Sequence, residues 1–316
     1  MSTERFFTHP LGILFSAVFA TLLWGSAFPF IKLSYNLLSI GSNDIGEQLL
    51  FAGYRFFLAG VLVLLFFIMM KKPMKFQRKT FIPVLKIGVF QTFLQYVLFY
   101  IGLALSTGIQ GSIIAGTTSF FQMILAHVMY TDDKLTKEKL LGLVAGFSGV
   151  IVVNLQKGAS DIHFGLGEIL LLLAMLVSGF GNILAKEGAR KMEVGYLTAY
   201  QMIFGAIGLL IIGMIQVGMF PFHFTLKSIL ILLYLSFLSA AGFVLWNNVM
   251  KYNAVGKVSI YLFLTPVFGV FLSSALLGER IHSLVLIGLA LVAAGIIIVN
   301  RTPHLHPKGQ NNRPNM

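Results

Sequence analysis

The chain has no cysteine, which excludes disulfides, thiolate nucleophiles and Cys-ligated metal sites and leaves its redox compartment unreadable. Charge is scarce as well, since Asp, Glu, Lys and Arg together make up 11% of the residues. No HExxH, GxSxG or P-loop string occurs, and the 7 histidines stand singly or in the tail, so neither a metal, a cofactor nor an enzyme is expected. Without an ATP-binding segment, any solute movement has to be facilitated, exchanged or driven by a gradient. Of the 11 acidic residues, only Glu168 falls inside an apolar run, near its edge. A deep carboxylate is a frequent proton or cation relay in membranes. Its absence argues against proton coupling, with Glu168 and His127 as the groups left to titrate.

What is present is apolar length. Hydrophobic residues make up 57% of 316, far above a soluble domain's need. A bilayer's hydrocarbon core of about 30 Å takes roughly 20 helical residues to cross. Ten such runs are read at 11–35, 48–70, 81–104, 107–130, 138–155, 164–185, 195–219, 226–250, 256–277 and 281–299. The first is too long for a cleavable signal and no small-x-small site follows it. Backbone groups in lipid must be satisfied internally, and runs of this length exceed barrel strands, so the expected fold is an all-α membrane bundle.

The net charge of +12 is topological rather than a nucleic-acid signal. With the N-terminus inside, 17 of the 23 Lys and Arg fall on cytoplasmic segments, among them KKPMKFQRK (71–79), Lys134, Lys186 and Lys251. Lys157, Lys227 and Arg280 face the other side, and Lys32, Arg55 and Lys86 lie within runs. The positive-inside rule then sets both termini in the cytoplasm of a bacterial inner membrane. The polar tail 301–316, with His304 and His306, is expected to be disordered.

An internal repeat shows in GVIVVN (149–154) and GIIIVN (295–300). The same offset pairs Gly142 with Gly288, Asp133 with Glu279 and Lys134 with Arg280. The unit spans about 150 residues and five runs, so its second copy would enter the membrane inverted, a recurring plan of secondary carriers. The expected organisation is two five-helix repeats, 1–157 and 158–300, followed by the tail.

In this order, WGSAFPFIK (24–32), YRFFLAG (54–60), QYVLFYIGLALS (95–106), YQMIFGAIGLL (200–210) and LWNNVMKYNAVGKVSIYLFLTPVFGVFLSSALLGERI (245–281) resemble the drug/metabolite transporter superfamily, EamA type. The resemblance implies ten spans, cytoplasmic termini and a central cavity lined by spans one, three, four, six, eight and nine. It implies export of amino acids, other metabolites or drugs, and leaves the substrate open. A small amphipathic metabolite such as an amino acid is the expected cargo, moved by alternating access. The competing readings are a broad drug exporter, a channel and a scaffold. Besides cargo and bilayer no partner is called for, and self-association stays open.

The candidate binding residues follow from polar groups in those spans. They are Trp24, Ser26 and Lys32 in span one, Gln95 and Tyr96 in span three, Thr118 and Gln122 in span four, Asn182 in span six, and Tyr261 and Thr265 in span nine. Lys32 is expected either to snorkel to the head groups or to offer its charge at the outward mouth. Arg55 is read as structural, paired with Asp44, Glu47 or freed carbonyls. Pro29 and Pro266 each remove a helical hydrogen bond and are read as hinges. In span eight Ser236, Ser239, Phe243, Trp246 and Asn247 share an arc of about 100°. That face, with Ser239, Trp246 and Asn247 as binding groups, is expected to line a cavity or a packed interface, because an unpaired amide in lipid is costly.

Overall fold

A computed structural model describes residues 2–154, 165–281 and 283–300, and among them the only regular elements are helices. After a short helix, Thr3–Thr8, come α1 (Pro10–Leu38), α2 (Ile45–Met69), α3 (Arg78–Ala104), α4 (Gly108–Met129) and α5 (Lys137–Asn154). Then follow α6 (Leu166–Lys191), α7 (Val194–Val217), α8 (Leu226–Tyr252), α9 (Val255–Leu277) and α10 (Ser283–Asn300). Among the described residues, α1 to α4 and α6 to α9 are each long and apolar enough to cross a membrane. The start of α5, Lys137, Glu138 and Lys139, takes a turn out of its apolar length, and α10 is an apolar helix of 18 residues. The tail 301–316, with His304 and His306, lies outside the described residues.

The surface inverts that of a soluble protein. Leu11, Phe15, Leu65, Phe66, Ile215 and Leu230 are all exposed, while Gln48, Gln91, Thr92, Gln122, Gln201 and Asn247 are fully buried. A bundle solvated by lipid has no reason to bury its aliphatic groups and every reason to bury its amides.

Packing is reciprocal between the first five helices and the last five. α1 lies against α8 and α9, and α6 lies against α3 and α4. α2 packs on α7, α4 on α9 and α5 on α10. Two acids at repeat-related positions fix the antiparallel α4–α9 pair at its two ends. Glu279, just past α9, accepts from the Gly108 and Ile109 N–H groups at the start of α4 (2.9 and 2.8 Å). Asp133, just past α4, accepts from the Gly256 N–H at the start of α9 (2.7 Å) and pairs with Lys139 (2.7 Å). A carboxylate at a helix start satisfies orphan N–H groups and complements the positive end of the dipole.

The α2–α7 contact is a knob-and-notch pair. A Cβ on Gly213 would stand 2.7 Å from the Leu50 backbone nitrogen, and one on Gly53 would stand 2.8 Å from Leu210 Cγ. Each helix thus seats its leucine where the other has no side chain. Gly213→Ala is expected to lower the melting temperature of the detergent-solubilised protein, at an overpacking cost of about 1–3 kcal/mol. Ile215→Ala, on the same helix but 80% exposed, is expected to leave it within a degree or so. Equal melting of the two variants would show that α2 and α7 do not depend on this notch.

Candidate functional site

A cavity of about 70 Å³ lies midway along the bundle, walled by seven helices from both halves. It is lined by Trp24, Ala27 and Phe28 of α1, Arg55 of α2, and Gln95, Tyr96 and Phe99 of α3. Ala115 and Thr118 of α4, Met175, Ser178 and Asn182 of α6, Phe243 of α8, and Leu262 and Thr265 of α9 complete the wall. Met175, Ser178 and Asn182 lie at i, i+3 and i+7, one helical stripe.

Three helices depart from α geometry beside this space. In α3, Val89–Leu94 form a π-helical turn, which shifts the angular position of Gln91 relative to Gln95. α4 is interrupted at Gly116, between Ala115 and Thr117. α9 passes through a 3₁₀ turn, Ser259–Phe263, immediately before Leu264. There Pro266 has no N–H for the Leu262 carbonyl, so the tighter turn falls where the α-helical ladder is already broken. Pro29, by contrast, is buried in an α1 that runs unbroken from Pro10 to Leu38.

On the side of the cavity toward the start of α1, a single hydrogen-bonded chain crosses six helices. Asn247 Nδ2 donates to Thr198 Oγ1 (3.0 Å), and Gln91 Nε2 donates to Asn247 Oδ1 (3.3 Å) and Asn182 Oδ1 (2.8 Å). Asn182 Nδ2 donates to Gln122 Oε1 (2.9 Å), whose Nε2 donates to Ser259 Oγ (2.6 Å). Asn182 belongs to both chain and cavity wall, so the chain is the cavity's floor. On the opposite side Phe28 and Phe99 pack at 5.7 Å between ring centroids, and Tyr35 donates to the Tyr100 carbonyl (3.3 Å).

Of the residues singled out from sequence, Trp24, Gln95, Tyr96, Thr118, Asn182 and Thr265 line the cavity. Gln122 and Asn247 stand in the floor instead, and Trp246 is fully buried edge-on to Trp24, 5.7 Å between centroids. Ser26 bonds Tyr234 (2.7 Å), Tyr261 is half-buried outside the wall, and Ser239 is behind the wall, accepting from Arg55 Nε (2.9 Å). Lys32 reaches the Ala104 carbonyl at 3.5 Å, away from the cavity. Glu168 accepts from Ser106 (3.5 Å), and His127 accepts from the Leu135 N–H (3.1 Å).

Two basic residues differ from expectation. Arg55 pairs with neither Asp44 nor Glu47. It is 1% exposed, its Nε also donates to the Leu235 carbonyl (3.2 Å), and its Nη1 donates to the Tyr100 hydroxyl (3.0 Å). Both acids are on the first turns of α2, and Arg55 lies more than two turns deeper, out of their reach. Lys186, assigned to a loop, lies in α6, which extends to Lys191; it is buried, and its Nζ donates to the Asn253 carbonyl near the Tyr130 ring. Its long stem lets the ammonium reach the helix end while the backbone stays apolar.

The model of the EamA-like transporter family matches residues 11–155 and again 165–301. An uncharacterized transporter of Bacillus subtilis, YoaV, is 26% identical over 90% of this chain and 96% of its own length. A probable amino-acid metabolite efflux pump of Salmonella typhimurium is 25% identical, covering 90% and 93%. An S-adenosylmethionine/S-adenosylhomocysteine transporter of Chlamydia muridarum is 24% identical, covering 86% of each. A solved crystal structure superposes with a TM-score of 0.72 over 92% of this chain and 96% of the other at 14% identity, which shows a shared fold. With both halves matched and apolar helices throughout, the chain is an integral membrane protein and belongs to the EamA-like transporter family.

Proposed function

We propose that this protein is a secondary carrier that exports or exchanges a small amphipathic metabolite, an amino acid or a close derivative, by alternating access. The observation that carries this reading is the cavity at mid-bundle, with aromatic and polar walls drawn from both halves. Rings such as Trp24, Tyr96 and Phe99 suit an apolar side chain, while Gln95, Thr118 and Asn182 suit a polar head. The relatives named for amino-acid metabolites and for S-adenosylmethionine carry cargo of that kind.

The two matches to the family model, 11–155 and 165–301, and the reciprocal packing support ten spans in two inverted five-helix repeats. We take both termini as cytoplasmic, from the placement of basic residues. In such a plan the two halves exchange conformations and the cavity opens to one face at a time. The floor that runs from Thr198 to Ser259 closes one side, and the Phe28–Phe99 and Tyr35–Tyr100 contacts close the other.

In proteoliposomes, uptake of a labelled amino acid from a panel of zwitterions is expected to saturate and to show counterflow against the same unlabelled compound. Linear, non-saturating flux would identify a channel, and absence of flux for every amino acid and for S-adenosylmethionine would sink this cargo class.

The acid caps generate a further expectation. Because the chain has no cysteine, Thr118→Cys places a single thiol in the cavity. On that background Asp133→Asn is expected to raise the rate of maleimide labelling from the side of the α1 start several-fold. Glu279→Gln is expected to do so from the opposite side. Labelling unchanged by both substitutions would show that the caps hold neither end closed.

A further inference from the structure

Arg55 is a buried cation without a counter-ion. Among the described residues no carboxylate forms an ion pair with it. Its guanidinium has five N–H donors. Nε is shared between the Leu235 carbonyl and Ser239 Oγ, and one Nη1 hydrogen goes to the Tyr100 hydroxyl. The second Nη1 hydrogen and both on Nη2 have no acceptor among the described residues, and the residue is part of the cavity wall. Two more polar atoms of wall residues, the Trp24 indole N–H and Gln95 Oε1, are also unpaired but closed off from the open space. Arg55 is therefore the unspent donor that the cavity itself presents.

The surroundings hold the cation in place without neutralising it. Its carbon centre sits 4.8 Å from the Phe56 ring centroid and 5.8 Å from that of Tyr96. Rings offer a partial negative face but no hydrogen-bond acceptor of carboxylate strength. A charge removed from water and given only neutral partners retains strong affinity for an anion, and a planar fork matches a carboxylate with two parallel hydrogen bonds. An ordinary structural arginine at this depth would be expected to have its forks filled.

We propose that the Arg55 guanidinium is the anion receptor of the central cavity, so that its ligand carries a compact carboxylate. This deepens the carrier reading and rests on it for the claim that the ligand is cargo. In an amino acid the carboxylate sits on Arg55. The cationic reporter of cargo chemistry is thereby Arg55 at mid-bundle, while Lys32 lies toward the end of α1.

The test uses the full chain in detergent and a ligand small enough for the cavity. Sodium acetate is expected to raise the melting temperature saturably above an equal concentration of sodium chloride, because a ligand that binds only the folded state stabilises it. Acetamide, of the same shape but uncharged, is expected not to. Arg55→Gln is expected to weaken acetate binding at least about tenfold, the loss of a charged hydrogen-bond donor. Arg55→Lys, which keeps the charge but not the fork, should fall between. If Arg55→Gln does not fold, the acetate-to-acetamide contrast in the unaltered protein and its reduction in Arg55→Lys decide the matter. Equal stabilisation by acetate and acetamide, no effect of acetate, or full acetate binding by Arg55→Gln would each overturn the proposal. An acetate site that is intact in a protein moving no amino acid would sustain the receptor and remove the carrier reading.

Discussion

The bundle depends on giving each of the amide side chains in its floor a partner where lipid offers none, even though Gln91 Oε1 is left unpaired. The chain from Thr198 through Asn247, Gln91, Asn182 and Gln122 to Ser259 does this with side chains from six helices. Each bond adds modest net energy, on the order of 1 kcal/mol, yet breaking one leaves a buried amide unpaired at a cost of about 1–3 kcal/mol. That asymmetry gives direction to packing that van der Waals contact alone leaves loose. Leucine against leucine slides at little cost, whereas Gln91 between Asn182 and Asn247 admits one register of α3 against α6 and α8. The π-helical turn at Val89–Leu94 belongs to the same arrangement, because it puts Gln91 on the floor and Gln95 on the wall within little more than a turn.

Much of this was legible in the sequence. Hydropathy located the helices because the bilayer sets a minimum length, and the positions of α2, α7 and α8 differ from the expected runs by a few residues. The chain also told which face of α8 turns inward: Ser236, Ser239, Phe243, Trp246 and Asn247 are all buried. Periodicity could not tell a void from a packed contact on that face. Phe243 meets the cavity, Ser239 backs Arg55, and Asn247 joins the floor, although all five share one arc. Which of them meets empty space is decided by neighbours far away in sequence.

The partners of Arg55 and Lys32 were left open for a related reason. Sequence position gives depth along a helix but not what stands opposite. Asp44 and Glu47 were close in the chain, yet the partners of Arg55 come from α3 and α8, namely Tyr100, Leu235 and Ser239. Lys32, near the end of a long helix, can extend its stem toward that end, and its nearest acceptor is the carbonyl that closes α3. The α6 boundary failed differently. Lys186, Glu187 and Arg190 read as a loop because of their charge, but Glu187 pairs with Arg190 (3.0 Å) and with Tyr130 (2.7 Å), so the helix continues through them.

The α4–α9 pair joins these constraints. Each helix is irregular where it meets the cavity, α4 at Gly116 and α9 at Ser259–Phe263, and each starts on an acid that follows the other. The ends are held by charge-assisted bonds, and in the middles the α-helical ladder gives way to tighter i→i+3 bonds. A helix fixed at its termini bends most readily at its centre when the regular i→i−4 ladder is interrupted there. Gly116 and the 3₁₀ turn adjoin Ala115, Thr118, Leu262 and Thr265, the wall residues of these two helices. On the proposed carrier reading, bending at those points reshapes the cavity while the capped ends stay in place.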